Sequence, residues 1–171
     1  MSEGDLGAEA WRALLLAHST AVRAVESYVQ QHGRVPLTWY DVLLELKAGG
    51  ERGLRMQEVA DRVLLSRTRV SRLVDDMVRG GLVRKEADLT DKRVVWASIT
   101  DAGREALSAT APAYLRGIEA HFSAYLTEEE AAGLARVLLK VAQGEYAAKS
   151  HSVGGLSGRR TVRAGERDSF H

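Results

Sequence analysis

Three arginine side chains fall within six residues of the stretch SRTRVSRLVDDM, which runs from Ser66 to Met77. A guanidinium group donates two parallel hydrogen bonds to a guanine edge, a carboxylate or a phosphate, so such a cluster suits an anionic partner. At about 100° per residue on a helical wheel, the apolar residues fall on one arc. These residues are Val70, Leu73, Val74 and Met77. The stretch therefore predicts a helix with one packing face and one basic face.

The face opposite the apolar arc is the one that could act on a partner. It carries Thr68, Arg72, Asp75 and Arg79, with Arg69 and Ser71 on its flanks. Its hydroxyl and guanidinium groups concentrate near the N-terminus of the helix, which is the end that a helix-turn-helix directs at base edges. An ordinary solvated helix face has the same composition, so this helix alone leaves both interpretations open.

Two neighbouring elements favour the DNA-reading interpretation. A short helix is predicted from Met56 to Val63, and a tight turn joins it to Ser66, which is placed to cap the next helix. After a glycine pair, a short run begins at Leu82 and Val83 and ends in the polar turn ADLTDK. The run VVWASI, rich in β-branched and aromatic residues, follows, and the two runs predict a β-hairpin with a basic tip. Such a wing lies beside a DNA-reading helix, where Lys92 or Arg93 would enter the narrow and strongly negative minor groove.

Composition excludes several other classes of protein. The chain has 171 residues, of which 45% are apolar and 27% charged, as in a globular domain with a real core. It has no cysteine, which excludes disulfides, thiol catalysis and cysteine-based zinc sites. The five histidines have no short ligand spacing, so neither a metal nor a cofactor is expected. The first residues are acidic and lack an apolar run, so no signal peptide is predicted. No apolar run reaches about 18 residues, so no membrane span is predicted, and a cytoplasmic protein is expected.

The net charge of +1 conceals an uneven distribution along the chain. Residues 52–93 contain eleven Lys or Arg and seven Asp or Glu, a net charge of +4. The tail, 149–171, has five basic and two acidic residues, a net charge of +3, whereas the rest of the chain carries −6. A basic centre on an acidic chain suggests a local anionic partner, although chance clustering gives the same distribution.

Long helical patterns surround the basic centre. One helix is predicted from Ala8 to Gln31, and a second begins with Thr38 as its N-cap. Thr100 and Thr127 cap two further helices, the second with Glu130 in a capping box. After about residue 149 the apolar pattern stops, and Gly, Ser and Arg predict a disordered basic tail over 149–171. The predicted fold class is mainly α with a small β-hairpin wing.

A longer segment carries a resemblance to a known family. The sequence from Ser66 to Leu107 resembles the recognition helix, wing and following helix of the MarR-type (multiple antibiotic resistance) transcriptional regulators. The matching elements are SRLVDDM, a glycine followed by Leu-Val, the Asp91-Lys92-Arg93 wing and the helix start TDAG. The segment LTWYDVLLEL is similar to the second helix of the family. The resemblance extends over the range from Ala8 to Gly144.

The resemblance implies a winged helix-turn-helix plus a helical dimerisation region. By it, residues 36–99 form the DNA-binding lobe, and residues 1–35 and 100–148 form the dimerisation region of a homodimer. The implied function is a repressor of transcription that binds double-stranded DNA sequence-specifically. A two-fold dimer implies a pseudo-palindromic operator with half-sites about 10 bp apart. The implied interface residues are Leu14, Leu15, Leu134, Leu138 and Val141.

The resemblance also assigns individual residues to the DNA. In it, Arg93 is the wing-tip residue that enters the minor groove. Asp91 would brace the wing by pairing with a nearby arginine, and it also fits the role of a turn residue. The full set of implied DNA contacts is Thr38, Ser66, Arg67, Thr68, Arg69, Ser71, Arg72, Lys92 and Arg93.

One departure from the family pattern lies in the DNA-reading helix. Where the family often has one acid followed by a base, this chain has the Asp75-Asp76 pair. A carboxylate at Asp76 would repel phosphate, so we expect it to face away from DNA or to pair with Arg72 or Arg79.

A small aromatic or phenolic acid is the ligand that the resemblance implies. Many members of the family release DNA when such a molecule binds between the dimerisation region and the DNA-binding lobe. An aromatic ring, an imidazole and a lysine could hold an aromatic carboxylate. Packing is the alternative role for the two tryptophans, and an interface histidine is the alternative for His18. The candidate residues are Trp11, His18, Trp39, Ser71 and Lys85.

Two other classes of function are alternatives. The sequence has no phosphate-cradling glycine loop, no G-x-S-x-G and no H-E-x-x-H motif, so no catalytic residues are expected. A winged-helix protein whose lobe binds protein, or an architectural DNA binder without a ligand, fits the same motifs. Gel shifts at increasing salt separate it from a specific regulator, because non-specific binding is lost on all sequences alike.

Overall fold

The computed structural model describes residues 3–63 and 65–154, with side chains described for 5–63 and 65–144. Its order of helices and hairpin is the predicted one. Two short elements were not predicted, namely the strand β1 and a 3-10 turn at Ser123–Tyr125. The elements are α1 Glu3–His32, α2 Leu37–Ala48, β1 Leu54–Arg55, α3 Met56–Arg62, α4 Arg67–Arg79, β2 Val83–Ala87, β3 Val95–Ile99, α5 Asp101–His121 and α6 Glu128–Gly154.

The described chain forms two compact units, Met1–Tyr125 and Leu126–His171. The first contains α1 to α5 and a three-stranded antiparallel sheet in which β3 lies between β1 and β2. At the start of β1, Gly53 has a φ of +76°, and a Cβ there would overlap the carbonyl oxygen of Ala97 on β3. Because glycine has no Cβ, the backbone at Gly53 can approach Ala97 this closely, and β1 can pair with β3. This pairing joins the turn after α2 to the sheet.

The core of the first unit lies between the sheet and the helices α2, α3, α4 and α5. On α4, Val70, Val74 and Met77 have no exposed surface, and Leu73 is half-buried against the same core. The predicted packing face of this helix is therefore confirmed. Each fully buried side chain of this size contributes about 1.5–3 kcal/mol relative to an exposed one, so the rotation of α4 about its axis is fixed by its core face.

The start of α2 differs from the prediction. The helix begins at Leu37, its N-cap is Pro36, and no side chain caps it, so Thr38 is the second helical residue. The N–H groups of Trp39 and Tyr40 both donate to the Pro36 carbonyl at 3.0 Å. Pro36 precedes the helix in an extended conformation, with φ −58° and ψ 153°, and its carbonyl accepts the first helical hydrogen bonds two residues earlier than a cap at Thr38 would.

Helices α1 and α5 pack against each other and hold the turn before α2. Thr110 of α5 has no exposed surface. Its hydroxyl oxygen accepts hydrogen bonds from the N–H groups of Arg34 and Val35, at 3.1 and 3.3 Å, and donates to the Ala106 carbonyl at 2.8 Å. This one side chain satisfies two backbone donors of the α1–α2 turn, which would otherwise be buried without a partner.

The apolar pattern predicted for α1 divides into two parts. Val25 and Val29, in its second half, are buried against the rest of the first unit. In the first half, Trp11, Leu15 and Leu16 are 59%, 50% and 66% exposed. The chain by itself therefore leaves the N-terminal half of the α1 stripe uncovered.

The second unit is built on α6. The predicted capping box is confirmed, since the Thr127 N–H donates to a Glu130 carboxylate oxygen at 2.9 Å and the Glu130 N–H donates to the Thr127 hydroxyl at 3.3 Å. The helix continues to Gly154, so residues 149–154 are helical where a disordered tail was predicted. Residues 155–171 of that tail lie outside the described residues. Within the described part of the chain, no helix is long and apolar enough to cross a membrane.

Asp41 of α2 gives a pH-dependent prediction for the stability of the first unit. Burial, followed by the charges of Glu26 and Glu45, raises the pKa of this carboxyl to about 6. Because the folded pKa lies above the unfolded value of 3.8, the folded state holds the proton more tightly, and stability rises as pH falls from about 6 to 4. Asp41→Asn should therefore stabilise the protein at pH 8 by about 1–2 kcal/mol, and the gain should vanish near pH 4.

Urea unfolding at fixed protein concentration, followed by circular dichroism at both pH values, measures this difference. Asp61→Asn, which removes an exposed carboxylate from α3, is the matched control. An equal stability change for Asp41→Asn at pH 8 and pH 4 would contradict the assignment.

Candidate nucleic-acid interface

The exposed face of α4 lies at its N-terminal half. Ser66 caps the helix, and its hydroxyl accepts a hydrogen bond from the Arg69 N–H at 3.3 Å. Arg67, Thr68, Arg69 and Arg72 are exposed, whereas Ser71 is half-buried. The predicted division of the helix into a core face and a polar face is therefore present, and the polar face coincides with the positive end of the helix dipole.

The acidic residues of α4 are neutralised by neighbouring cations. The Lys85 ammonium donates to the Asp75 carboxylate at 2.8 Å, and Arg79 pairs with Asp76 one turn earlier in the helix. The expected pairing of Asp76 is thus confirmed with Arg79 as its partner. Among the described side chains, the three arginines of the first two turns form no ion pair, so the unbalanced positive charge lies on the exposed N-terminal half of α4.

The preceding helix is held in place by two bonds at its ends. At the start of α3, the Arg55 N–H donates to the Glu58 carboxylate at 2.7 Å. Near its end, Arg62 pairs with Glu45 of α2 at 3.4 Å, with both side chains partly exposed. Helices α3 and α4 pack against each other and are joined by a short turn, which is the arrangement of a helix-turn-helix.

Asp88 organises the wing between β2 and β3. Its Oδ1 accepts hydrogen bonds from the N–H groups of Thr90 and Asp91, at 2.9 and 3.2 Å. Its Oδ2 accepts from the Trp96 indole N–H and from the Arg52 guanidinium, both at 2.9 Å. These bonds, led by the Thr90 backbone and the Trp96 indole, lower the pKa of Asp88 to about 2.

Asp91 holds the wing turn through a backbone hydrogen bond rather than through the predicted arginine pair. Within the described residues Asp91 forms no ion pair with an arginine, and its carboxylate accepts the backbone N–H of Arg93 at 3.0 Å. Asp91 is exposed in the turn, where it serves as the turn residue that was the other interpretation. The arginine partner belongs to Asp88, which sequence reasoning missed. The Asp-x-Thr spacing, typical of a side chain that bonds the backbone two residues on, was the available signal.

The tip of the wing exposes its cations. Lys92 and Arg93 are both exposed, and Leu89 beside them is fully exposed. The wing and the N-terminal half of α4 thus both present positively charged side chains to solvent.

Comparison with known proteins agrees with this geometry. The sequence model of the MarR family matches residues 35–94. The transcriptional regulator MhqR of Bacillus subtilis is 30% identical over 132 residues, which are 75% of this chain and 88% of MhqR. The MarR family regulator Sco3205 of Streptomyces coelicolor, solved in complex with DNA, is 30% identical with a TM-score of 0.72, over 79% of this chain and 84% of Sco3205. This chain belongs to the MarR family.

A further relative matches over a shorter part of its length. The chain is 34% identical to the regulator YkoM of Bacillus subtilis over 101 residues, 59% of this chain but less than two-thirds (64%) of YkoM. The matched relatives are transcriptional regulators, and Sco3205 was solved bound to DNA. The family assignment confirms the predicted fold class, a mainly helical winged helix-turn-helix.

The remaining site predictions are not decided by the geometry. Thr38 is half-buried in the first turn of α2, and its contact with DNA stays a prediction. Trp11 and His18 are exposed on α1, and Trp39 is partly buried against the lobe core. Because the Lys85 ammonium is already paired with Asp75, an aromatic carboxylate would have to displace that partner.

A cavity of about 380 Å³ opens at the base of the wing, and none of the five proposed ligand residues lines it. Within the described residues, no group of three or more His, Asp or Glu side chains could hold a metal ion. The aromatic-acid site therefore stays a prediction.

The order of influences on Asp88 gives a spectroscopic prediction. Because the indole hydrogen bond lowers the Asp88 pKa more than the Arg52 charge does, Trp96→Phe should raise this pKa more than Arg52→Gln. A ¹³C NMR titration of the Asp88 carboxyl measures both shifts. Arg84→Gln, which removes an exposed cation from β2, is the control and should leave the Asp88 titration in place. A larger shift in Arg52→Gln than in Trp96→Phe would contradict this order of contributions to the Asp88 pKa.

Proposed function

We propose that this chain is a homodimeric repressor that binds a pseudo-palindromic double-stranded DNA operator. The observation that carries the proposal is the division of α4. Val70, Val74 and Met77 on its core face are fully buried, and its exposed N-terminal half carries arginines without an ion-pair partner in the described chain. A helix in this orientation presents hydrogen-bond donors to the major groove.

Within the proposed complex, Arg69 and Arg72 read base edges from the first two turns of α4. Bidentate hydrogen bonds from a guanidinium group to guanine distinguish it from the other bases. Thr68 and Ser71 add hydroxyl groups for bases or phosphates. Ser66 and Arg67, at the helix start, lie where backbone N–H groups favour a phosphate. The pairing of Asp75 and Asp76 with cations supports this role, because it reduces the repulsion between α4 and the DNA backbone.

The wing contributes a second contact in the proposed complex. Arg93 enters the minor groove, whose negative potential is strongest where A/T-rich sequence narrows it. Lys92 binds the adjacent phosphates. The exposure of both side chains at the end of a hydrogen-bonded turn supports this arrangement.

A second copy of the chain covers the exposed apolar side chains in this proposal. On α1, Trp11, Leu15 and Leu16 are at least 50% exposed, and on α6 Val137 and Val141 are 58% and 59% exposed. Exposed apolar residues concentrated on two helices are typical of a protein interface. Dimerisation through residues 1–35 and 100–148 would place two lobes on half-sites about one helical turn apart.

A small aromatic acid is the effector in the same proposal. Trp11, His18, Trp39, Ser71 and Lys85 are the residues proposed to hold it. The Lys85 ammonium supplies the charge for its carboxylate, and ligand binding would exchange Asp75 for that carboxylate. Release of Asp75 would leave an unbalanced negative charge on α4, which weakens DNA binding.

Selection of bound sequences from random duplexes tests the function. The wild type should enrich one palindrome whose half-sites are about 10 bp apart, and phenolic acids should lower the enrichment. Arg72→Ala should weaken binding to that duplex by about 1–3 kcal/mol and relax one base position. Lys47→Ala, the loss of an equal charge from the exposed last turn of α2, is the matched control. Uniform recovery of all sequences by the wild type would favour an architectural DNA binder instead.

Arg93→Ala tests the minor-groove contact. Its affinity for the selected duplex should fall more with A/T-rich flanks than with G/C-rich flanks, because groove width sets the potential that the guanidinium group senses. Fluorescence anisotropy with two labelled duplexes that differ only in their flanks measures the ratio. An equal loss on both duplexes would assign Arg93 to a phosphate.

A further inference from the structure

The base of the wing contains a cluster that the proposed DNA contacts do not use. We name the three side chains Arg52, Asp88 and Trp96 the wing lock. Asp88 is only 15% exposed and accepts the guanidinium of Arg52 and the indole N–H of Trp96 on one carboxylate oxygen. Its other oxygen holds the backbone of the turn at Thr90 and Asp91. Four donors on a single carboxylate leave the turn little freedom.

The Trp96 ring adds a second type of contact. The Arg52 guanidinium carbon lies 3.9 Å from the ring centroid, and that of Arg55 lies 5.2 Å away. Both distances are within the range of cation–π attraction. Arg52 therefore contacts two members of the wing at once, the Asp88 carboxylate and the Trp96 ring.

The wing lock connects three elements that are separate in the sequence. Arg52 belongs to the turn between α2 and β1, Asp88 follows β2, and Trp96 lies in β3. In the sheet, Trp96 pairs with Glu86 of β2 and with Arg55 of β1, which is the residue before α3. Through Trp96, the lock therefore joins the wing to the strand that leads into the first helix of the helix-turn-helix.

We propose that the wing lock positions Arg93 for the minor groove and thereby sets the preference of the protein for the sequences that flank its operator. The proposal rests on the proposed function. Arg52 is 69% exposed, and exposed ion pairs contribute little to folding stability, so the effect of the lock lies in the order of the turn. A turn that is ordered before binding loses less conformational entropy on entering the groove.

The connection from the lock to Arg93 runs through the backbone of the turn. The Asp88 carboxylate accepts a hydrogen bond from the N–H of Asp91, and the Asp91 carboxylate accepts one from the N–H of Arg93. The Asp88 N–H in turn donates to the Val94 carbonyl at 2.8 Å, which closes the turn just beyond Arg93. Arg52, Asp88 and Trp96 are positioning residues in this scheme, because they act through Arg93 and do not contact the DNA themselves.

The flank ratio of the full-length dimer tests the proposal. This ratio compares the affinities for the wild-type-selected duplex with A/T-rich and with G/C-rich flanks. Arg52→Gln and Trp96→Leu should each lower the ratio to near the value of Arg93→Ala, and adding Arg93→Ala to either should lower it no further. Trp96→Phe keeps a ring beside the guanidinium groups and should retain part of the ratio. In all lock variants, base discrimination by Arg72 should be unchanged.

Arg84→Gln is the matched control for charge. It removes an exposed arginine from β2 of the same wing, where Arg84 pairs with Glu86 at 2.8 Å and not with the lock. This variant should weaken binding to both duplexes alike and keep the flank ratio. An unaltered flank ratio in Arg52→Gln and Trp96→Leu would overturn the proposal.

Amide hydrogen exchange in the free protein separates the lock from the proposed function. The N–H groups of Thr90 and Asp91 should exchange about tenfold faster in Arg52→Gln and Trp96→Leu, and at the wild-type rate in Arg84→Gln. Unchanged exchange in the lock variants overturns the positioning role whatever the DNA result. A wild type without any flank preference, together with faster exchange in the variants, overturns the minor-groove function and with it the role of the lock in DNA binding.

Discussion

The burial of one face of α4 is the constraint on which the rest of the winged helix-turn-helix lobe depends. Side chains on a helix cannot rotate about its axis independently, so seating Val70, Val74 and Met77 in the core fixes where Thr68 and Arg72 point. Turning the helix by one residue position would expose fully buried side chains at about 1.5–3 kcal/mol each. The same packing that stabilises the lobe therefore sets the orientation of its basic face.

Charge is arranged on the lobe by pairing as much as by composition. The two aspartates of α4 form ion pairs with Lys85 and Arg79, and Asp88 forms one with Arg52. Arginines at the start of α4 and the cations at the wing tip are left outside these pairs. A net charge of +1 for the chain is thus compatible with two local positive regions, because short-range pairs cancel the acids where they would repel DNA.

Local chemistry accounts for the parts of the fold that the sequence predicted. The caps at Ser66, Thr100 and Thr127 each satisfy a backbone donor within three residues, so their signal lies in the sequence itself. Thr38 has the same residue type, but Pro36 opens that helix instead. The strand β1 has only two residues, and it exists because Gly53 lets the chain approach Ala97 of a strand more than forty residues later. The hydrophobic periodicity of the sequence cannot predict a pairing between strands so far apart in the chain.

By itself the sequence determined the order of helices, the hairpin, the two faces of α4 and the family, because these follow from spacings and motifs along the chain. Tertiary structure decided which acid holds the wing. Asp88 and Asp91 are both turn residues, and only the approach of Arg52 from the turn after α2, with Trp96 from β3, distinguishes them. It also showed that the N-terminal half of the α1 stripe is uncovered. Both results depend on contacts between residues far apart in sequence, which residue types and local spacing do not encode.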